Sequence, residues 1–361
     1  MTTPSEGRGL SREAVTAIDR AGLVRDVEAQ PHQLEDVLWR VEAAAIPARE
    51  RPGGLTVCGV GGSAIGGDLA AAAIGERARL PLRTVRGYRL PSEATAGALV
   101  LCASYSGNTE ETLACFAEAG AAGAERVVLT TGGELAAAAR AEGVPVIGVP
   151  SGMQPRVAVA YMVVGALECA ALCDGTPSLR AEVEAASRLL AGLAAKWGPD
   201  GPDDALPKQI ARRLDGRVPV VYGAGATAPV ALRWKTQLNE NAKLLAFQAE
   251  LPEADHNELN GWEGAPELAP FVGVFLDDAG ADERVRRRVR LTAAEVASHA
   301  DEVVELELPG ASPLERVAAG VMLGDFVSVY LAVLREVDPT PVEAIDRLKR
   351  ALEEEAGAAV R

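Results

Sequence analysis

The pattern that most restricts the fold is an alternation of short β-branched apolar runs with longer stretches of helical period. The runs fall at residues 55–60, 82–85, 98–103, 126–129 and 144–149. Strands separated by helix-length connections pair in parallel, through right-handed crossovers that lay helices on the sheet. An α/β fold, a parallel sheet covered by helices, follows. A long apolar helical stretch at 157–173 comes next, then a break at Asp174-Gly175-Thr176-Pro177, a polar helix, and a Gly, Pro and Asp-rich linker at 198–207. Beyond the linker the cycle restarts. Residues 218–222 run into Gly223-Ala224-Gly225-Ala226-Thr227 as 55–60 run into Gly61-Gly62-Ser63, with further strands expected at 244–247, 271–276 and 303–306. The chain reads as a diverged duplication of doubly wound, flavodoxin-like units. Residues 1–33 form an N-terminal extension and helix, 34–175 the first domain, 176–207 a connecting helix and linker, and 208–361 the second domain with a C-terminal helix.

A length of 361 residues, 48% of them hydrophobic, suits two such cores. The formal net charge of −15 disfavours a nucleic-acid partner, which would require clustered cations. The polar stretch at 1–9 does not resemble a secretory signal, and no apolar run approaches membrane-spanning length, so a cytoplasmic chain without a membrane partner is expected. Cys58, Cys102, Cys115, Cys169 and Cys173 lie in apolar segments and are expected as buried thiols. Cys169 and Cys173 share a helix face, but three histidines in the chain leave few further ligands, and no metal site is expected. The basic run from Arg284 to Arg290 reads as a solvated helix face, with a phosphate or acidic-partner patch as the alternative. The helix at 314–335 is apolar on more than one side, which puts it between layers or in a subunit interface.

Chemistry first becomes visible at Ser104-Tyr105-Ser106-Gly107-Asn108-Thr109-Glu110-Glu111-Thr112, which follows a buried strand and opens a helix. Ligands of open α/β sheets bind at this end of the strands. The hydroxyls of Ser104, Ser106 and Thr109 can donate to phosphate oxygens, Gly107 admits close backbone approach, and the first N–H groups of the helix point at the anion. Ordinary capping by Ser106 or Asn108 would explain one hydroxyl, not three. The loop from Gly59 to Gly67 approximates a dinucleotide fingerprint, yet the second strand ends in Val85-Arg86-Gly87 and lacks the ribose-binding acid. Backbone amides at Gly61, Gly62 and Ser63 serving sugar hydroxyls is the better account, and no cofactor is expected.

Together, Gly61-Gly62-Ser63-Ala64, the 104–112 turn, Pro155-Arg156, Glu240-Asn241 and His256-Asn257-Glu258 resemble the bifunctional phosphoglucose/phosphomannose isomerases. The resemblance runs from about residue 34 to 349, and its motifs keep their order. It implies two tandem sugar-isomerase (SIS) domains, with C-terminal helices packing back on the site. The implied reaction interconverts glucose 6-phosphate and mannose 6-phosphate with fructose 6-phosphate through a cis-enediol, without a metal. Glu240 would be the base, a role a partly buried carboxylate suits. His256 would assist ring opening from the neighbouring subunit of a homodimer. Lys349 would assist ring opening and Arg156 would stabilise enediolate charge. Rotation of the intermediate about C2–C3 would let one base serve both epimers, with Thr340 as a contributor. His32 and His299 are expected to be structural or solvent-facing. The competing readings are an isomerase of a related sugar phosphate and a non-catalytic sugar-phosphate regulator, but for the latter only about thirty residues precede the first domain, too few for a DNA-binding unit. The glutamine-dependent amidotransferases require an N-terminal cysteine that Met1-Thr2-Thr3 does not supply.

Overall fold

The structure is a computed structural model and describes residues 9–359. Three helices open the chain, α1 (Arg12–Ile18), α2 (Leu23–Glu28) and α3 (Gln30–Ala43). The first sheet follows as β1 (Gly54–Cys58), α4 (Gly62–Ile74), β2 (Leu82–Val85), β3 (Ala98–Ala103), α5 (Glu110–Ala121), β4 (Glu125–Thr130), α6 (Gly133–Ala141) and β5 (Val146–Gly148). Helices α7 (Val159–Leu172), α8 (Arg180–Trp197) and α9 (Leu206–Leu214) lead to the second. That sheet comprises β6 (Val218–Ala224), α10 (Ala228–Asn241), β7 (Phe247–Leu251), α11 (Ala265–Leu268), β8 (Phe271–Asp277), α12 (Glu283–Val296) and β9 (Glu302–Glu307), before α13 (Pro313–Leu334) and α14 (Glu343–Ala359).

All strand pairings are parallel. The first sheet runs β2-β1-β3-β4-β5 and the second β7-β6-β8-β9, the same winding order less one strand. In each half the order reverses between the first and third strands, which opens a crevice at their carboxyl ends. β1 and β3 are buried along their whole length, as their uninterrupted apolar runs require between two helix layers.

The strand expected at 244–247 is a correction: β7 begins at Phe247. Leu244 N–H instead returns to Leu238 O at 3.2 Å, and Lys243 takes φ +51°, closing the end of α10 before the strand starts. His32 lies within α3, exposed, and His299 lies just past the end of α12.

A second correction concerns α13. At 22 residues, with an 18-residue window of mean hydropathy 2.0, it is long and apolar enough to cross a membrane, but 94% of that window is buried inside the protein. Ser312 and Glu315 form a capping box around Pro313 at its start. From there it runs between the halves, against α8, α9, α10 and α4. Such a helix is apolar all round because every face has a protein neighbour.

The basic run lies on α12. Arg286 pairs with Asp277 (2.6 Å) and Glu307 (2.8 Å), Arg288 with Asp255 (2.7 Å) and Arg290 with Glu283 (2.6 Å), while Val289 is buried. It is a solvated, ion-paired face. All five cysteines are buried and free.

Candidate active site

The crevice between β1 and β3 gathers most of the residues singled out in the sequence. Thr109 is the N-cap of α5 in extended conformation, but its side chain makes no capping bond, and neither Ser106 nor Asn108 takes that place. Ser104 Oγ lies 2.8 Å from Thr109 Oγ1 and accepts the Gly107 N–H at 3.1 Å; Ser106 Oγ accepts the Asn108 N–H at 3.2 Å. The hydroxyls thus line the turn, while Glu110 and Glu111 favour the helix by acting on its dipole. Gly107 has φ +73°, and a Cβ there would lie 1.9 Å from Gly132 O. Only glycine fits.

The Gly61-Gly62-Ser63 loop borders this turn. Ser63 Oγ accepts the Tyr105 N–H at 3.3 Å, joining the two loops across the switch point. Gly62 meets Arg156, since a Cβ on it would stand 3.2 Å from Arg156 Cα.

Arg156 sits in a short 3-10 turn, Pro155–Val157, and is only 4% exposed. Its Nε donates to Asn241 Oδ1 at 2.6 Å, and Nη2 donates to Pro339 O (2.7 Å) and Thr340 O (2.9 Å). Nη1 faces Glu240 Oε2 at 3.7 Å and Gln154 Oε1 at 3.4 Å. Burial draws the Arg156 guanidinium below its ordinary value; Glu240 opposes that shift and Arg233 adds to it. Glu240 is half-buried at the last turn of α10, the end of the helix turned to the first sheet's carboxyl edge. Lys243 donates to Glu240 O at 2.5 Å and Pro339 O at 3.2 Å, and burial with the nearby Arg156 charge draws its ammonium down.

The expected residues are not all brought together. His256 is exposed in the 3-10 turn Glu253–His256, beyond the carboxyl end of β7. Because α10 returns antiparallel to β6, Glu240 stands at the opposite end of β7, a strand of about 16 Å at its per-residue rise. Glu240 and His256 of one chain therefore face different edges of the second sheet. The neighbours of His256 are held: Asp255 accepts Thr292 Oγ1 at 2.8 Å and Arg288 Nη1 at 2.7 Å, and Tyr222 OH donates to Glu258 while accepting Trp262 Nε1 at 2.7 Å. The imidazole itself has no partner among the described residues. Lys349 is exposed on α14, without a hydrogen bond or ion pair among the described residues, beside the bare apolar row Ile345, Leu348 and Leu352. Only the segment before that helix, Pro339 and Thr340, lies on the site. Thr340 Oγ1 is buried with no hydrogen-bond partner among the described residues.

The second sheet's crevice is filled from within. Arg316 pairs with Asp278 at 2.5 Å, each 9% exposed, and Thr227 Oγ1 donates to Leu276 O at 3.0 Å. Both acids at that edge are paired, Asp277 with Arg286 and Asp278 with Arg316.

Sequence reasoning missed a buried polar chain behind Arg156. Asp325, fully buried on α13, receives Arg233 Nη2 at 2.8 and 2.9 Å and Gln30 Nε2 at 2.7 Å. Arg233 also donates to Arg156 O at 2.8 Å. Burial pushes the Asp325 carboxyl up, and the Arg233 guanidinium opposes it. Losing one partner of such a buried pair costs about 3–5 kcal/mol. The available signal was a carboxylate inside an apolar helix, which demands a cation.

These features define a class first. The fold is that of the SIS phosphosugar isomerases: the crystal structure of a glucose-6-phosphate isomerase like protein from Thermus thermophilus superposes with TM-score 0.64 at 20% identity, over 95% of this chain and 99% of that one. The hypothetical protein TT0462 from the same organism superposes with TM-score 0.71 at 18% identity, over 95% and 94%. Residues 203–352 match the bacterial phospho-glucose isomerase C-terminal SIS domain. The chain is 36% identical over 303 residues to the bifunctional phosphoglucose/phosphomannose isomerase of Caldicellulosiruptor bescii (83% of this chain, 89% of the relative) and 38% identical over 305 residues to that of Aquifex aeolicus (84% and 91%). It belongs to the bifunctional phosphoglucose/phosphomannose isomerase family. A further relative, the D-glucosamine-6-phosphate 4-epimerase of Sulfolobus acidocaldarius, is 31% identical over 228 residues, 62% of this chain and 69% of that one.

Proposed function

We propose that the chain interconverts fructose 6-phosphate with glucose 6-phosphate and mannose 6-phosphate by proton transfer between C1 and C2. The supporting observation is the meeting, at one crevice, of an uncapped hydroxyl-lined helix start with the Glu240–Arg156 pair from elsewhere in the chain. Ser104, Ser106, Thr109 and the first amides of α5 hold the 6-phosphate, and the amides of Gly61, Gly62 and Ser63 receive sugar hydroxyls. Glu240 removes the proton beside the carbonyl and returns it to the neighbouring carbon. Arg156 Nη1, already turned to Glu240, stabilises the enediolate oxygens, so the reading requires no metal or cofactor.

Ring opening falls to His256 of a second copy, because the two ends of β7 separate it from Glu240 within one chain. Lys349 joins the site when α14 closes over it, and Thr340 contributes where the intermediate turns between epimeric faces. The enzyme acts as a homodimer, and a cytoplasmic setting belongs to the same reading, in line with its metabolic relatives. The same reading takes residues 34–175 and 208–361 as the two domains, with the phosphate bound by the first.

The test is a coupled assay with each aldose phosphate, combined with solvent deuterium exchange at C2. Glu240→Gln should lower turnover about 10²–10⁴-fold while retaining substrate binding. His256→Ala should also lose turnover, and a heterodimer of the two variants should regain part of it. Substrate binding without turnover in the wild type would favour a regulator. Turnover confined to glucosamine 6-phosphate would favour the second reading suggested by the Sulfolobus relative.

A further inference from the structure

We infer that Asn241 and Ser328 are positioning residues that orient Arg156 toward Glu240, an inference that rests on the isomerase reading above. Hydrogen-bond polarity carries it. Ser328 Oγ donates its single proton to Asp325 O at 2.7 Å, so toward Asn241 it can only accept. Asn241 answers with Nδ2 at 2.9 Å, which leaves its Oδ1 turned the other way. There it receives Arg156 Nε at 2.6 Å. Guanidinium Nε has one proton, so this bond fixes the plane of the group, and the two carbonyls at Nη2 occupy a second edge. What remains is Nη1, turned to Glu240 and the crevice.

The chain has one hub. Asp325 sets the Ser328 proton through its carbonyl and, through its carboxylate, holds the Arg233 that fixes Arg156 O. Both the guanidinium and the backbone of Arg156 are thereby referred to the same residue of α13. Asn241 and Ser328 are fully buried, out of reach of substrate, so any effect they have on turnover passes through Arg156.

Replacing Ser328 by alanine removes the acceptor that orders the Asn241 amide. The amide then loses the bond that fixes its plane, so its Oδ1 no longer holds Arg156 Nε in a single orientation. Asp325 is a poor place to cut, because its loss would strand the buried Arg233 charge and threaten the fold. The experiment measures kcat and KM for fructose 6-phosphate in wild type, Ser328→Ala, Ser328→Thr, Arg156→Lys and the Ser328→Ala/Arg156→Lys double variant.

Ser328→Ala should lower kcat about tenfold or more with KM within about twofold, and Ser328→Thr, which keeps the hydroxyl, should restore most of it. In the Arg156→Lys background the alanine should add less than about twofold, since its effect acts through the missing guanidinium. An equal loss in both backgrounds would overturn the inference, as would a Ser328→Ala enzyme that melts earlier but turns over normally. Wild-type protein inactive on all three hexose phosphates would sink the isomerase reading itself, an outcome distinct from either.

Discussion

Replacing Gly107 by alanine tests the cradle where its geometry is least forgiving. A Cβ on Gly107 falls 1.9 Å from Gly132 O, 2.8 Å from Gly132 C and 2.9 Å from Thr130 Oγ1. Restoring even a 3.0 Å contact requires the two loops to part by about 1.1 Å. They cannot do so freely, because Leu135 N–H is bonded to Gly107 O at 2.9 Å, Glu134 N–H to Asn108 Oδ1 at 2.9 Å and Thr131 N–H to Tyr105 O at 3.0 Å. The φ of +73° adds about 1–2 kcal/mol for an alanine. A displacement of about 1 Å in a group that positions substrate costs roughly 10²-fold in rate. That corresponds to about 2.7 kcal/mol of transition-state stabilisation. The assay is kcat/KM for fructose 6-phosphate beside thermal melting, with Gly143→Ala as the control. Gly143 has φ +67° but nothing within 4 Å of its Cβ position, so it carries the backbone strain without the collision. Gly107→Ala should lose about 10²-fold in kcat/KM and Gly143→Ala less than about twofold. Equal activities in the two variants would refute the idea that the Gly107–Gly132 approach shapes the site.

The thiols should be silent in the native protein, since contact with Cys102 and burial push Cys58 up, contact with Cys58 and burial push Cys115 up, and burial pushes Cys169 up and Cys173 to about 11. A chromogenic disulfide at pH 8 should titrate none promptly and all five after denaturation; one fast thiol would contradict the packing. Glu125, bonded by Arg49 and by the 1% exposed Arg51, should give up its contribution in acid. Burial acts to raise its carboxyl, but the two arginines outweigh that and hold it below its ordinary 4.5. A depressed carboxylate stabilises above its unfolded value and stops doing so as pH falls through its folded one. The melting-temperature gap between wild type and Glu125→Gln should therefore shrink from pH 7 to pH 3, and a constant gap would count against the pairing.

The first half was legible because its central strands are buried on both faces and so are written as unbroken apolar runs, and because the 104–109 turn carries its polar groups contiguously. β7 was misplaced for the opposite reason. It is an edge strand that interleaves Gln248 and Glu250 with Ala249 and Leu251, while the more apolar run at 244–247, which only reaches its first residue, leaves Leu245 and Phe247 exposed. Glu240 and Arg156 could be named only by resemblance, since a lone charge on a helix or turn has no local period. Their meeting is a tertiary fact, produced by α10 ending against the crevice of the other sheet. The chain from Asp325 to Asn241 was less visible still, because its members lie in two helices whose pairing no sequence period encodes. The exposed state of His256 and Lys349 could not be read from the motifs that named them.

The matched family segment begins at residue 203, which suggests a detachable module, but α13 argues otherwise. Its neighbours include α1, α2, α4 and α8, all upstream of that point, and Tyr330 OH donates to Trp197 O at 2.5 Å. Severing the chain there would leave a rod as apolar as a membrane span bare along several faces. The two sheets look like exchangeable cassettes, yet they share one keel. Because α13 packs on elements of both, each half completes its core only with the other.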